Sequence, residues 1–163
     1  VRILARRQPA ASDLRLIIGI SKSVIDLERI GDEATKIAKR AIELTEDAGF
    51  SRGYDEIRHI GDQVRKMVQE SLDAFARFDV DLAAAVSQYD KTIDREYKSA
   101  LRELVTYMME DPRSISRVLS VIWVLRSLER IGDHARNIAE LVIYMVQGTD
   151  VRHKKLFAET PAE

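Results

Sequence analysis

Cysteine does not occur anywhere in the sequence, which excludes disulfides, thiolate metal sites and cysteine nucleophiles, and fits a reducing compartment. Proline occurs three times and glycine seven times in 163 residues, so long stretches run without a helix breaker. No apolar run approaches the roughly 18 residues that a membrane-spanning helix needs. The best candidate, Leu14 to Ile20, is short and interrupted by Arg15. Nothing resembles a signal peptide. Neither sign of charge dominates, with 26 Lys and Arg against 27 Asp and Glu, which argues against nucleic acid and against binding of acidic lipid by bulk charge. The chain opens on Val1 rather than Met, from which a natural N-terminus further upstream is expected.

What remains is helical. Four long stretches repeat their apolar residues at helical spacing. The first starts near Ser12 or Asp13, both good N-caps, and runs to about Glu46, with Gly49 as its stop. Leu16, Ile20, Leu27, Ile30, Ala34, Ala38, Ala41 and Thr45 trace its expected buried stripe. The second, about Tyr54 to Phe78, carries Ile57, Ile60, Val64, Met67, Val68, Leu72 and Phe75. The third, capped by Asp79 or Asp81, carries Leu82, Val86, Tyr89, Ile93, Tyr97, Leu104 and Met108. The fourth begins at Asp111-Pro112, a cap followed by proline at the first helical position, and continues through Val118, Leu125, Leu128, Ala135 and Val142 to Gly148. Short connections between such helices predict antiparallel neighbours in an all-α bundle. The tail from Thr149 is expected to fray.

One hexamer, LERIGD, occurs at Leu27–Asp32 and again at Leu128–Asp133, an offset of 101 residues. At the same offset Ala34 matches Ala135, Ile37 matches Ile138 and Ala38 matches Ala139, which reads as a tandem duplication of units about a hundred residues long. Glu28 and Asp32, like Glu129 and Asp133, lie one turn apart on a single helix face. They sit about 100 to 140° from the centre of the apolar stripe, at the shoulder of the bundle. Two like charges one turn apart destabilise a helix by a few tenths of a kcal/mol, and a glycine in a helix interior by about 1 kcal/mol. A bound cation would remove the first penalty, and close approach of a neighbouring helix would explain Gly31 and Gly132.

A third pair, Asp90 and Asp94, lies on the helix expected to pack against the last one. Together with Glu129, Asp133 and the amide of Asn137 it forms a candidate set of hard oxygen ligands for iron, manganese, magnesium or zinc. The plainer reading stands beside it. In a chain one-third charged, a Glu-x-x-x-Asp pair is usually a solvated face, and Arg29 and Arg130 could neutralise the carboxylates without metal.

The two hexamers, continued as GDEATKIA and GDHARNIAE, resemble the signatures of the PhoU family of phosphate-uptake regulators, and RQPAASDLR and MMEDPRSISR resemble their lead-ins. The resemblance runs from about Val1 to Arg152. It implies tandem three-helix bundles, the first partial over residues 1–50, the second complete over 51–148, with a flexible tail at 149–163. It implies that helices paired by their acidic motifs hold multinuclear metal clusters, with Asp90, Asp94, Glu129 and Asp133 matching the C-terminal site and Glu28 and Asp32 half of the N-terminal one. Lys36 stands where the second unit has Asn137 and is expected to bridge to Asp32. The resemblance further implies a cytoplasmic, non-enzymatic negative regulator of the phosphate-starvation regulon. Such a protein touches the membrane only peripherally and couples the phosphate ABC transporter to a sensor histidine kinase.

Two alternatives remain. A di-iron carboxylate enzyme needs paired Glu-x-x-His motifs, whereas Glu56-Ile-Arg-His59 stands without a counterpart, and His134 points about 100° from Asp133, as a surface residue would. A metal-free adaptor would use the acidic shoulders to dock basic partner loops. The first helix, about 50 Å long at 1.5 Å per residue, would expose Leu16, Ile20, Leu27 and Ile30 without its bundle partners, so a homodimer is expected.

Overall fold

The computed structural model describes residues 11–46 and 51–148. These form four helices, α1 (Ala11–Thr45), α2 (Tyr54–Arg77), α3 (Val80–Glu110) and α4 (Ile115–Gln147), with one 3-10 turn at Pro112–Ser114 and no strand among the described residues. The fold class is therefore all-α, as the periodicity implies.

Helices α2, α3 and α4 make an antiparallel three-helix bundle, and α1 lies along the outer side of α4. The connections are short because each end is chemically marked. Phe78 adopts a left-handed conformation (φ 55°), and the turn closes with Asp79 N–H donating to the Ala74 carbonyl at 2.9 Å. The Asp79 carboxylate then accepts from Leu82 N–H at 3.0 Å, capping α3. Asp111 caps the next turn by accepting from Arg113 N–H at 3.2 Å and from Arg113 Nε at 2.9 Å. Here the structure refines the expected start. Pro112 opens a 3-10 turn, and the α-helix begins three residues later at Ile115. Gly148, at φ 67°, ends α4. Gly49 and the tail lie outside the described residues.

The core consists of Ile60, Val64 and Met67 from α2, Val86, Ile93 and Leu104 from α3, and Val118, Val121, Leu125 and Val142 from α4. From Ile138 to Ile143 every residue of α4 is buried, because that half of the helix has neighbours on three sides. Leu72 and Tyr89, expected in the stripes, are instead exposed.

Helix α1 departs most from expectation. Of its stripe, Leu16 and Ile30 are half-buried, whereas Ile20, Leu27, Ala34, Ala38, Ala41 and Thr45 are exposed. The face against α4 is carried by Gly19, Ser23, Asp26, Ile30, Glu33, Ile37 and Leu44, a mixed and partly charged row. Gly19 is the glycine that close approach requires, since a Cβ there would meet Met145 Sδ at 2.2 Å and Cγ at 2.5 Å. Gly31 has nothing within 4 Å, so the close approach expected of it is absent among the described residues. At Gly132 an added Cβ would make ordinary contacts, the nearest 3.8 Å away at Asp90 Oδ1 and Val64.

Candidate functional site: two polar seams on one helix

Helix α4 carries a polar seam on each side. The first faces α1. His134 Nδ1 lies 2.8 Å from Asp26 Oδ1, and Asn137 Nδ2 donates to the same oxygen at 3.2 Å. Both side chains were read in the sequence by their neighbourhood to Asp133. The helix turns them instead toward α1, so His134 is an interface residue, not a surface one, and Asn137 is not brought to the carboxylate cluster. One and two turns away, Glu33 is buried and accepts from Lys36 Nζ at 2.7 Å, with Arg130 Nη1 at 3.5 Å. Lys36 thus bridges to Glu33 rather than to the exposed Asp32, because Glu33 faces the neighbouring helix and needs a counter-charge. Glu28 is likewise exposed.

These contacts are reciprocal. A shift of 101 residues carries Asp26 to Ser127 and Glu33 to His134. Asp26 meets His134, and Ser127 lies beside Glu33. The two repeats therefore meet through equivalent positions around a local two-fold relation, as in an isologous interface.

Burial would raise the Glu33 pKa, but the bonds from Lys36 and Ser127 and the charges of Lys36 and Arg130 prevail and hold it below the usual carboxylate value. A lowered folded-state pKa contributes stability above the unfolded value, about 4.3, and loses it as pH falls through the folded value. Replacing Glu33 with Gln is expected to remove that acid-side loss and to destabilise the neutral protein on the order of 1 kcal/mol, its cationic partners being half exposed. Urea midpoints measured at neutral pH and below pH 4 check this, and parallel pH curves for the two proteins would contradict it.

The second seam lies between α3 and α4 and gathers the expected carboxylates. Asp90 is buried, Asp94 follows one turn later, and Glu129 and Asp133 face them from α4. Burial raises the Asp90 pKa against the opposing pull of Arg136, with Asp133 and Asp94 adding to the rise. Glu129 is raised first by burial and then by Asp133, against Arg126. Its Oε2 is buried without a hydrogen bond, and Arg126 Nη1 lies 3.4 Å away. Arg126 in turn sits over the Tyr97 ring, 5.9 Å from its centre.

Sequence reasoning missed the residue that organises this cluster. The Arg136 guanidinium donates through Nη1 to Asp90 and sits 3.0 Å from Asp133 Oδ1. Its Nε lies 3.9 Å from Glu140 Oε1, an oxygen that also accepts from the Ser87 hydroxyl at 3.4 Å. The signal was present as an arginine three residues after an aspartate on one helix. Among the described residues, no three acidic or histidine side chains are arranged to hold a metal ion. The donor set itself fits a hard divalent cation, being all carboxylate oxygen with surplus negative charge and one unbonded buried atom. What stands among the oxygens is a guanidinium. Elsewhere, the unpaired Glu-x-x-His motif forms a surface network in which His59 contacts Gln63 at 2.6 Å and Glu96 at 3.3 Å.

The PhoU domain matches residues 1–41 and 57–142. The chain belongs to the PhoU family. It is 82% identical over 98% of its length to a phosphate-specific transport system accessory protein PhoU homolog of Pseudomonas putida, and 46% identical over 94% to the Escherichia coli accessory protein PhoU. It spans 63% of the length of each of these relatives. The crystal structure of PhoU from Pseudomonas aeruginosa superposes with a TM-score of 0.88 at 81% identity, covering 91% of this chain and 71% of that one. PhoU from Streptococcus pneumoniae, described as a phosphate transport system regulatory protein, gives 0.81 at 32% identity over 92% of this chain and 70% of that one. No described helix of this PhoU-family chain is long and apolar enough to cross a membrane.

Proposed function

We propose that this chain is part of a cytoplasmic accessory regulator, not an enzyme, that restrains a phosphate ABC transporter. In this reading it represses the phosphate-starvation regulon by coupling transporter to sensor histidine kinase at the inner membrane surface. The observation that carries the reading is 82% identity over 98% of the chain to an accessory protein of the phosphate-specific transport system. The chemistry suits it, because most of the polar side chains of the two seams pair with one another across helix interfaces rather than converge on a reacting centre. A regulator of this kind changes its partners' behaviour and forms no product. Deleting the host gene is expected to switch on a secreted phosphatase in phosphate-rich medium, and the full-length gene to reverse this. A deletion strain that keeps the phosphatase repressed in high phosphate would overturn the proposal.

The metal reading belongs to the same proposal. Asp90, Asp94, Glu129 and Asp133 would hold a divalent iron, manganese or zinc-type cation, singly or in a cluster, and the cation would supply the positive charge that joins α3 to α4. The raised Asp90 and Glu129 and the unbonded Glu129 oxygen support it. The exposed Glu28 and Asp32 would need partners beyond the described residues. Replacing Asp94 and Asp133 together with Ala is expected to abolish metal binding and leave helicity nearly intact, as read by elemental analysis of protein purified without chelator. Unchanged metal content in that double variant removes the assignment. Arg136 on Asp90 and Asp133 favours the metal-free adaptor as the second reading.

A homodimer completes the proposal. Helix α1 exposes Ile20, Val24, Leu27 and Ile42 along one side, an apolar row that a second copy of the chain would cover. A monomeric mass in solution would remove this element alone.

A further inference from the structure

We propose that Arg136 is a displaceable internal cation, closing the α3/α4 seam when no metal is present and leaving Asp90 and Asp133 when a divalent cation enters. The inference rests on the metal reading and adds to it how the site is held without metal.

Arg136 bonds one carboxylate from each helix, Asp90 on α3 and Asp133 on α4, at the point where a metal would join the same two groups. A guanidinium and a divalent ion cannot share those oxygens, because the acceptor lone pairs are the same and the two cations repel at contact distance. Without Arg136, Asp90 and Asp133 would lose the guanidinium that joins them while Arg126 and Arg130 stand beside Glu129, so removing Arg136 unbalances the seam. The side chain can also leave. It is 26% exposed, while the Asp90 side chain it binds is 5% exposed, so the arginine has a route to water that the aspartate lacks. The arrangement is confined to one half of the duplication, since the position 101 residues earlier is Thr35, whose hydroxyl donates to the Gly31 carbonyl at 3.0 Å. The two halves would therefore differ in their metal-free state even with matched acidic motifs.

The test compares full-length wild type, R136Q and R136K in Mn²⁺ titrations and in thermal melts with and without chelator. R136Q is expected to bind Mn²⁺ about tenfold more tightly, through loss of a competing charge-assisted bond. Its melting temperature should fall in chelator and recover when Mn²⁺ is added, while R136K stays near wild type in both. In the wild type, the Arg136 Nε–H signal, protected in chelator, should exchange with water once Zn²⁺ is bound, a readout that survives even if R136Q does not fold. Equal Mn²⁺ affinity in wild type and R136Q, or a protected Nε–H in the Zn²⁺-bound protein, overturns this proposal and leaves the metal reading standing. Failure of every protein to bind Mn²⁺ or Zn²⁺ removes the metal reading and this inference with it.

Discussion

Shortening Leu125 to alanine is expected to destabilise the protein by about 3 to 5 kcal/mol, the range for leucine truncation in a rigid core. Leu125 is wholly buried in the first half of α4, the helix against which α1, α2 and α3 all pack. Leu125 belongs to the buried core shared by the bundle helices, so its loss leaves a cavity in close-packed surroundings. The loss is a large share of the 5 to 15 kcal/mol that domains typically possess, so the variant should unfold at markedly lower urea. A midpoint change corresponding to less than about 1 kcal/mol would mean that the interior around α4 is loose enough to collapse onto the gap.

Replacing Gly53 with alanine is expected to cost about 2 to 4 kcal/mol, whereas the same change at Gly31 should stabilise by about 1 kcal/mol. Gly53 begins α2 at φ 84°, a left-handed conformation that a side chain disfavours. An added Cβ would also lie 2.6 Å from Val121 Cγ1 and 3.2 Å from Leu104 Cδ2, both in the packed core. Gly31 sits inside α1 with open space around it, so alanine adds helix propensity and meets nothing. Opposite signs in paired urea unfolding curves check both positions. Two losses of similar size would show that the Gly31 face is covered in solution.

The bundle was legible because its helices obey a simple rule. In α2 and α3, residues at helical spacing such as Ile60, Val64 and Met67, or Val86 and Ile93, are both apolar and buried. Asp79 also opens α3 and Gly148 closes α4 as the residue types imply. Helix α1 broke the rule, since its apolar row faces outward while Ser23, Asp26 and Glu33 face α4. Periodicity finds the most apolar face of a helix, and the face against a polar neighbour need not be that one. The acidic cluster was readable as two pairs, each one turn apart, Asp90 with Asp94 and Glu129 with Asp133. Its counter-ion was not, because spacing along α4 cannot show whether Arg136 turns toward Asp133, toward Asp90 on another helix or toward water. His134 and Asn137 were misjudged for the same reason, their partner Asp26 being over a hundred residues away.

The reciprocal meeting of α1 and α4 has a consequence for how such a protein can change. When two identical chains associate through one helix, every substitution appears twice, and an acid that gains a partner on one side must gain it on the other. Joining the copies in a single polypeptide lifts that constraint. Asp26 faces an imidazole at His134, while its counterpart Ser127 places an uncharged side chain beside Glu33. Each side of the junction could thus be altered alone, and the two contacts have become chemically distinct while keeping equivalent places.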